Sequence, residues 1–551
     1  MPPPIRRRGQ SLRCGARSIA MPPSYDYIIV GAGSAGCVLA NRLSADPSVR
    51  VLLLEAGPTD LHPFVAMPAA FTFAIGSRRF DWRYVSQPEP YLGDREIPCP
   101  RGLVLGGSSS INAMAFVRGQ AEDYEEWTRL GAHGWGYADC LPYFKRLETF
   151  VGPSSPWRGT TGPLHVTAPA YSNPLNEAFL RACRDAGHKL SPDTNGPDQE
   201  GFGPMDQTIH RGRRESTSRA YLRPIGDRGN LKVLTRCHAL RIGVEGNRAR
   251  SVTFTARGAA HTSRADREII LSAGAINTPK LLLQSGIGPA DELRRLGIDV
   301  LRDLPGVGRN LQDHVDAPLR HACPLPITVT PALQFHRQVP IFLNWLLFKR
   351  GWGATNHFEV AGYIRSGPEA SRPDAQICFM PLVAGATGTG MNVSHGFQLS
   401  IMVLQPRSRG TVTLASADPG VAPVLRFNYL KEPADLAPLI NGIRRTREIL
   451  CQKSFERCLG PELFPGRDAN SDAELERYIR ATAKSTHHPC GTCRMGSDEE
   501  AVVDPDGRVR GLDNLRVVDA SIMPAITSGN INAPVIMLAE KLADAILRSA
   551  L

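Results

Sequence analysis

The sequence predicts an α/β protein, and residues 25–55 carry that prediction. Tyr25–Val30 is a short apolar, β-branched run, typical of a strand that is buried on both faces. It leads directly into Gly31-Ala-Gly33-Ser-Ala-Gly36 and then into an apolar stretch that is compatible with a helix. A second apolar strand, Val51–Leu54, ends at Glu55. This order of elements is that of a βαβ unit, in which a helix joins two parallel strands.

The glycine spacing indicates a Rossmann-like site for a dinucleotide. Gly31 permits the tight turn, Gly33 lets the backbone approach a pyrophosphate, and Gly36 lets the helix pack closely on the strand. The helix N-terminus would face the phosphates, and Glu55 would accept hydrogen bonds from ribose hydroxyls. These glycines do not distinguish NAD from FAD. The predicted residues of this part of the site are Gly31, Gly33, Ser34, Ala35, Gly36, Glu55 and Ala56.

Composition limits the classes of protein. The chain has 551 residues, 42% hydrophobic and 21% charged, as in a globular protein of several domains. Its net charge is +11, but no basic stripe alternates with aromatic residues, which argues against nucleic-acid binding. Twelve scattered cysteines indicate a reducing compartment, so we expect a cytoplasmic protein without a disulfide scaffold.

Two segments bear on location. Residues 1–20 contain five arginines and no acid, and we expect a disordered leader, either a targeting segment or read-through ahead of Met21. No apolar run reaches the roughly 18–20 residues of a membrane span. Ile341–Phe348 is an apolar run of a kind that is usually core, although it leaves peripheral association with a membrane open.

Three further segments resemble the glucose–methanol–choline (GMC) oxidoreductases, a family of FAD-dependent enzymes that oxidise alcohols. They are Gly102–Ala113 (GLVLGGSSSINA), Gly274–Gly288 (GAINTPKLLLQSGIG) and the C-terminal block from His487 to Asn532. With the first glycine motif, the matches extend from about residue 24 to the end of the chain. The resemblance implies FAD, bound non-covalently because Ile111 stands where covalently flavinylated members have a histidine.

The resemblance also implies further cofactor contacts and a domain organisation. The FAD-binding domain is expected at 21–165, 213–315 and 480–551. A second, α+β substrate domain built on an antiparallel sheet is expected at 166–212 and 316–479. The additional cofactor-binding residues that it implies are Gly106, Gly107, Ser108, Asn112, Ala113, Val233, Asp519 and Ala520.

The segment Ser485–Gly496 (STHHPCGTCRMG) admits three interpretations from its residues alone. A metal site is disfavoured, because adjacent histidines on an extended chain point to opposite faces and no second pair completes the C-x-x-C. A redox dithiol would need C-x-x-C to open a helix after a strand. A general base suits alcohol oxidation, because a neutral imidazole can take the hydroxyl proton.

The resemblance implies that His488, which precedes the proline, is this base, with His487 as the competing candidate. It also implies Asn532 as the second catalytic group, holding the substrate oxygen. Asn532 would begin the last helix, whose N-terminus would face the flavin. Val535, Leu538, Leu542 and Ile546 recur at helical spacing and predict its buried face.

The substrate is expected to be choline or another primary alcohol, since 201–205, 353–359 and 488–496 are similar to family members that oxidise choline. Cys378, where those members have a histidine, departs from that pattern. Glu359 is the predicted carboxylate for the substrate cation. The expected electron acceptor is a quinone or the respiratory chain. The alternatives are an alcohol dehydrogenase of broader specificity, an oxidase that uses O₂, and a hydroxynitrile-type lyase.

Overall fold

The structure is a computed structural model that describes residues 24–383 and 394–549, so the leader predicted at 1–20 lies outside the described residues. The described α-helices are α1 Ser34–Leu43, α2 Pro63–Ala66, α3 Phe71–Ala74, α4 Ala121–Arg129, α5 Tyr137–Leu147, α6 Pro174–Asp185, α7 Gly274–Gln284, α8 Ala290–Arg295, α9 Phe335–Phe348, α10 Leu436–Leu450, α11 Asp472–Thr482 and α12 Asn532–Ser549. The described strands are β1 Ser24–Val30, β2 Val51–Leu54, β3 Tyr84–Val85, β4 Pro98–Cys99, β5 Glu148–Val151, β6 Leu164–Thr167, β7 Gly201–Pro204, β8 Ile209–His210, β9 Arg213–Arg214, β10 Leu231–Leu234, β11 Cys237–Glu245, β12 Arg248–Ala256, β13 Ala259–Leu271, β14 Ile287–Gly288, β15 Arg302–Asp303, β16 Val315–Ala322, β17 Val360–Ile364, β18 Ala375–Met380, β19 Gly396–Val403, β20 Thr411–Thr413, β21 Val424–Arg426, β22 Glu462–Phe464, β23 Lys484–Ser485 and β24 Leu515–Val517.

The first sheet has the strand order β10-β2-β1-β13-β12-β11, with β24 also paired to β13. Strands β10, β2, β1, β13 and β24 pair in parallel, whereas β11, β12 and β13 form an antiparallel meander. Ile29 on β1 lies opposite Leu53 on β2 and Ile270 on β13, and all three are fully buried. The predicted βαβ unit and the α/β fold class are confirmed.

The second sheet has the order β22-β16-β19-β18-β17-β7, with β23 paired to β16, and all of its pairs are antiparallel. The predicted α+β second domain is therefore confirmed. Alternation along β18 gives the sheet two different faces. Ile377 and Phe379 are buried in a hydrophobic core with α6 and α10, and Phe379 stacks on Phe179 at 4.6 Å. Gln376 and Cys378 point the other way and line a cavity.

Two segments cross the boundaries expected from the sequence. Lys484–Ser485, expected in the first domain, pairs with β16 of the second sheet. Tyr84, Ile97 and Cys99 contribute to the core of the second sheet, and the Gln87 N–H donates to the carbonyl of Leu425. The first domain therefore sends two short segments into the second, which fixes the sheets relative to each other.

Helix α12 is locked onto α1 by polar contacts across 498 positions of the chain. The Ser34 hydroxyl donates to Asn532 Oδ1 at 2.7 Å, at the N-termini of both helices. Two turns further along α1, Arg42 donates to both oxygens of Glu540 at 2.8 and 2.6 Å. Glu540 is fully buried and also accepts from the Tyr221 hydroxyl. The predicted apolar stripe of α12, Val535, Leu538, Leu542 and Ile546, is buried.

Removing Arg42 tests this lock. Arg42→Met removes the bidentate partner of the buried Glu540 carboxylate and leaves it paired with Arg146 at 3.2 Å, so we expect a loss of about 2 kcal/mol of unfolding free energy. The matched control is Arg129→Met, which removes an exposed pair with Glu126 and should cost no more than about 0.5 kcal/mol. Urea unfolding of the two variants measures the difference. Equal losses would show that the α1–α12 pair contributes no more than a surface ion pair.

Candidate active site

A cavity of about 1090 Å³ lies between the two sheets. On one side it is lined by the carboxyl ends of β1 and β2, as expected for ligands of α/β sheets. On the other side it is lined by the face of the second sheet that includes Asp316, Gln376 and Ser400. The volume is slightly above the roughly 300–1,000 Å³ that is usual for ligand pockets, which suits a large cofactor together with a small substrate.

The glycines at the end of β1 have three different physical roles. Gly31 has φ +98°, a left-handed conformation that favours glycine. A Cβ on Gly36 would lie 1.9 Å from the carbonyl oxygen of Gly31, so this glycine is needed for packing of α1 on β1. A Cβ on Gly33 would lie 3.8 Å from the Ser272 carbonyl oxygen, an ordinary van der Waals distance, so protein packing would tolerate it. Because Gly33 lines the cavity, its missing side chain leaves space for a bound ligand.

Glu55 is buried at the end of β2, and its Oε2 and Oε1 accept the N–H groups of Ala32 at 3.0 Å and Gly57 at 2.8 Å. Burial raises the pKa of Glu55 to about 7. Ser272, on the same cavity wall, has a buried hydroxyl oxygen without a hydrogen-bond partner among the described residues. A glycine cradle, a lining carboxylate and an unpartnered hydroxyl fit the phosphates and ribose of a dinucleotide.

Most of the predicted cofactor residues line this cavity. They are Gly31, Gly33, Ser34, Ala35, Glu55, Ala56, Gly107, Ser108, Asn112, Ala113, Asp519 and Ala520. Gly36 and Gly106 lie behind the wall, where Gly106 donates its N–H to the Ala32 carbonyl at 2.8 Å. Val233 is not at the cavity, because it lies inside the sheet opposite Leu53. Cys237 and His238, beyond the end of β10, line the wall instead.

His488 lies on the cavity wall, and an aspartate holds the turn that presents it. Asp313 accepts the backbone N–H of His488 at 2.7 Å through Oδ1. Its Oδ2 accepts the hydroxyls of Ser485 and Tyr429, both at 2.5 Å. His487 precedes His488 with φ +68°, and Arg101 donates to the His487 carbonyl at 2.6 Å. The main chain at His488 is therefore fixed on both sides.

A chain of hydrogen bonds decides which nitrogen of His488 carries the proton. His314 Nε2 lies 3.0 Å from the carbonyl of Leu404, which can only accept, so His314 is protonated at Nε2. The neutral His314 ring then has a free lone pair on Nδ1, which lies 3.0 Å from His488 Nδ1. Thr486 Oγ1 also lies 3.0 Å from His488 Nδ1, but its hydroxyl donates to the His314 carbonyl at 3.2 Å, so it too can accept from His488. His488 therefore carries its proton on Nδ1, which leaves its Nε2 unprotonated. Asn530 donates to that Nε2 through its amide, at 3.0 Å.

Electrostatics keep this pair neutral. Burial, with the nearby His314, His487 and Arg101, holds the pKa of His488 well below its usual 6.5. Burial lowers the pKa of His314 to about 4. Both rings therefore stay uncharged near neutral pH, and the free nitrogen of His488 is a proton acceptor in a dry environment.

The structure places Asn530, not Asn532, beside His488. Asn532 begins α12 as predicted, but its Oδ1 accepts the Ser34 hydroxyl at the glycine cradle. The two asparagines lie on opposite sides of the turn into the helix, and the Asn-x-Asn spacing alone could not assign their roles. The partner of His488, His314, was not predicted, since nothing in its local sequence distinguishes it from a core histidine.

Glu359 does not reach the cavity. It is buried and its carboxylate accepts hydrogen bonds from the Ser172 N–H and hydroxyl, the Asn176 amide and the Thr355 hydroxyl, at 2.6–2.9 Å. A carboxylate with four donors fastens a loop and has no capacity left for a substrate cation. The carboxylate on the cavity wall is Asp316.

Asp316 is buried on β16, with Oδ2 accepting the Ser400 hydroxyl and Oδ1 lacking a hydrogen-bond partner among the described residues. Lys484 Nζ is 4.0 Å from Oδ2 and is half exposed. Burial raises the pKa of Asp316 to about 6. The signal that could have found it is its spacing, two residues beyond His314, which directly precedes β16; on extended chain such side chains lie on the same face.

The C-x-x-C cysteines are packing residues. Cys490 and Cys493 are fully buried, and burial raises the pKa of both thiols. A thiol of raised pKa is a weak nucleophile and a poor metal ligand. Described cysteines form no disulfide bond.

A dinucleotide cradle that shares one cavity with a neutral, buried histidine is the arrangement of a flavin-dependent oxidoreductase. Family models described as GMC oxidoreductase match residues 25–316 and 406–539. The chain belongs to the GMC oxidoreductase family and is an FAD-dependent alcohol oxidoreductase.

Similar proteins agree with that assignment along almost the whole chain. The chain is 48% identical over 524 residues to oxygen-dependent choline dehydrogenases of Sinorhizobium fredii and Brucella ovis, covering 95% of each chain. Among solved structures, pyridoxine 4-oxidase from Mesorbium loti is 34% identical with a TM-score of 0.86, covering 95% of this chain and 99% of that one. A formate oxidase is 27% identical with a TM-score of 0.90, covering 96% and 99%.

Two glycine variants separate a ligand role from a packing role. Gly33→Ala should fold normally, because the nearest protein atom would be 3.8 Å from its Cβ, but FAD affinity should fall at least about tenfold through contact with the pyrophosphate. Gly36→Ala should instead lower the thermal unfolding midpoint of the apoprotein. Fluorescence titration with FAD and thermal unfolding without it measure the two effects. Unchanged FAD affinity in Gly33→Ala would move the pyrophosphate away from this glycine.

Proposed function

We propose that the protein oxidises choline, or a similar primary alcohol with a quaternary ammonium group, to the aldehyde. The observation that carries the proposal is the unprotonated Nε2 of His488 on the same cavity as Asp316, whose Oδ1 has no hydrogen-bond partner among the described residues. Bound FAD would supply the acceptor for the hydride that leaves the carbinol carbon. The residues of the chain would do the rest: remove the hydroxyl proton, hold the oxygen and bind the cation.

His488 is the proposed general base. Its Nε2 would take the hydroxyl proton, and its Nδ1–H would stay bonded to His314, which stabilises the imidazolium that forms. The Asn530 amide, now bonded to Nε2, would turn to the substrate oxygen when the alcohol takes its place. This assigns to Asn530 the role that the sequence predicted for Asn532. His487 has no comparable chain of donors, since its Nδ1 is buried without a partner among the described residues.

Asp316 is the proposed site for the substrate cation. A quaternary ammonium group cannot donate a conventional hydrogen bond, so it is recognised by a carboxylate and by aromatic faces. Phe71, Phe358 and Trp352 line the same cavity, and the rings of Phe71 and Phe358 are 6.1 Å apart. The 48% identity to oxygen-dependent choline dehydrogenases supports choline as the substrate.

FAD would be held without a covalent bond, because the buried Ile111 on the cavity wall offers no nucleophile.

The proposed electron acceptor is a quinone, which becomes a quinol by taking the two electrons and two protons removed from the alcohol. The alternative is O₂, which the names of the choline dehydrogenase relatives and of the two oxidases favour. Reducing the flavin anaerobically with choline and then admitting either air or a soluble quinone separates the two: rapid reoxidation by air alone identifies an oxidase.

His488→Ala should keep bound FAD and lose kcat by at least about 10²-fold, because no other group accepts the proton. His487→Ala is the matched control and should lose less than about tenfold. Stopped-flow reduction of the flavin by choline measures the step directly. If His487→Ala loses at least about 10²-fold and His488→Ala less than about tenfold, the base is His487.

Because the pKa of His488 is held well below 6.5, kcat/KM for an uncharged alcohol should already have reached its plateau at pH 6.5.

Asp316→Asn should lower kcat/KM for choline by at least about tenfold, through loss of a charge close to the substrate cation. It should leave 3,3-dimethylbutan-1-ol, the uncharged isostere, almost unaffected. Glu359→Gln is the control, and any loss it causes should be the same for both alcohols. A loss for choline in Glu359→Gln alone would return the cation to the site predicted from the sequence.

The pKa of Asp316 adds a pH signature. Above pH 6 the carboxylate is ionised and can bind a cation, and below pH 6 it becomes neutral. In the wild type, kcat/KM for choline relative to the isostere should therefore fall as the pH drops through about 6. This ratio should be independent of pH in Asp316→Asn.

A further inference from the structure

The solvent-facing side of helix α9 is apolar. Phe335, Val339, Leu343 and Leu347 follow one another at four-residue spacing, so they form one stripe on the helix surface. Phe335 is 82% exposed and Leu347 is 69% exposed. The opposite side of the helix buries Trp345 against Met67 and Ala70. An amphipathic helix would turn its polar side to water, and soluble monomers rarely expose apolar patches of this size.

This apolar face is continuous with the mouth of the active-site cavity. Phe335, Val339 and Leu343 line the cavity as well as facing solvent. So do Phe64 and Phe73, from the neighbouring helices α2 and α3, whose rings stack at 5.3 Å. The surface around the opening is therefore apolar on two sides. We name α2, α3 and α9 together the mouth surface.

The charges on the mouth surface and on the segments that flank its helices are positive. Residues 61–80 and 317–358, which include its three helices, contain no aspartate or glutamate. Arg78, Arg79, Arg337 and Arg350 in these segments are exposed. The Arg350 guanidinium lies 4.8 Å from the ring centre of Phe348, so an apolar side chain and a cation lie side by side at the end of α9.

We propose that the mouth surface docks the protein on an anionic lipid membrane. Aromatic and leucine side chains would enter the boundary between headgroups and acyl chains, and the flanking arginines would bind anionic headgroups. Helix α9 has 14 residues, about 21 Å, which is too short for a hydrocarbon core of about 30 Å, so it would lie in the plane of the interface. No helix in the described part of the chain is long and apolar enough to cross a membrane.

A second copy of the chain suits this surface less well. A twofold contact presents the same patch from both subunits. The arginines of one mouth surface would then approach those of the other, and these segments contain no acid to neutralise them. A lipid surface supplies negative charge as well as an apolar phase.

Docking in this position would open the cavity towards the acyl chains. This consequence depends on the proposed function: a quinone dissolved in the bilayer could then enter the cavity without crossing water. The docking itself is tested without any activity measurement, so failure of one proposal does not decide the other.

The experiment compares two variants of the full-length, FAD-loaded protein in sedimentation with vesicles. Leu347→Glu/Phe348→Glu places acids on exposed positions of α9 that do not line the cavity. Val421→Glu is the control, at an exposed apolar position away from the mouth. The vesicles are phosphatidylcholine alone or with about 30 mol% phosphatidylglycerol, at about 0.1 M salt.

We expect wild type and Val421→Glu to bind the anionic vesicles, and the double variant to bind at least about tenfold more weakly. The Arg-rich leader is present in all three proteins, so it cannot cause that difference. Equal binding of the three would overturn the proposal. So would a wild type that binds neither kind of vesicle but is a dimer that the double variant converts to monomer, since the surface would then join two copies.

Discussion

A neutral imidazole has one N–H nitrogen, which donates, and one bare nitrogen, which accepts. This constraint organises the hydrogen bonds of the candidate active site. The carbonyl of Leu404 requires the proton of His314, so His314 can only accept from His488. His488 then donates its Nδ1–H to His314, and its unprotonated Nε2 faces the cavity. Burial prevents a second proton from relaxing the constraint, because a charged ring would lose its hydration. The carbonyl oxygen of Leu404, just beyond β19, thus determines which nitrogen of His488 is protonated, and it does so through His314.

Two buried acids differ in how far their hydrogen-bonding capacity is satisfied, and this difference is the basis for proposing Asp316 and not Glu359 as the cation site. Glu359 has four donors and holds two chain segments together, 172–176 and 355–359. Asp316 has one donor and an oxygen without a partner. Leaving a buried carboxylate under-satisfied costs stability, and such a cost is tolerated where a ligand supplies what is missing. The difference between the two acids lies in their neighbours, which come from distant parts of the chain.

The sequence was sufficient where the relevant interactions are local. The strand, glycine turn and helix of residues 24–43 are close in sequence, and their pattern predicted both the fold and most of the cradle. It was insufficient where a side chain's role depends on a distant partner. Asn530 and Asn532 are distinguished only by His488 and Ser34, and Val233 differs from Cys237 only in its distance from the edge of the sheet. The proposal of His488 has a local basis, because the proline that follows it belongs to a segment that resembles the family.

The hydrogen bond between Ser34 and Asn532 has a consequence for biosynthesis. A ribosome makes the glycine cradle almost 500 residues before the helix that closes the cavity beside it. Until α12 has been made, the face of α1 that packs on it is uncovered, although β1, β2 and the segment around Tyr221 already contact the rest of α1. The cradle therefore gains the contact to Asn532 only after α12 has packed on α1.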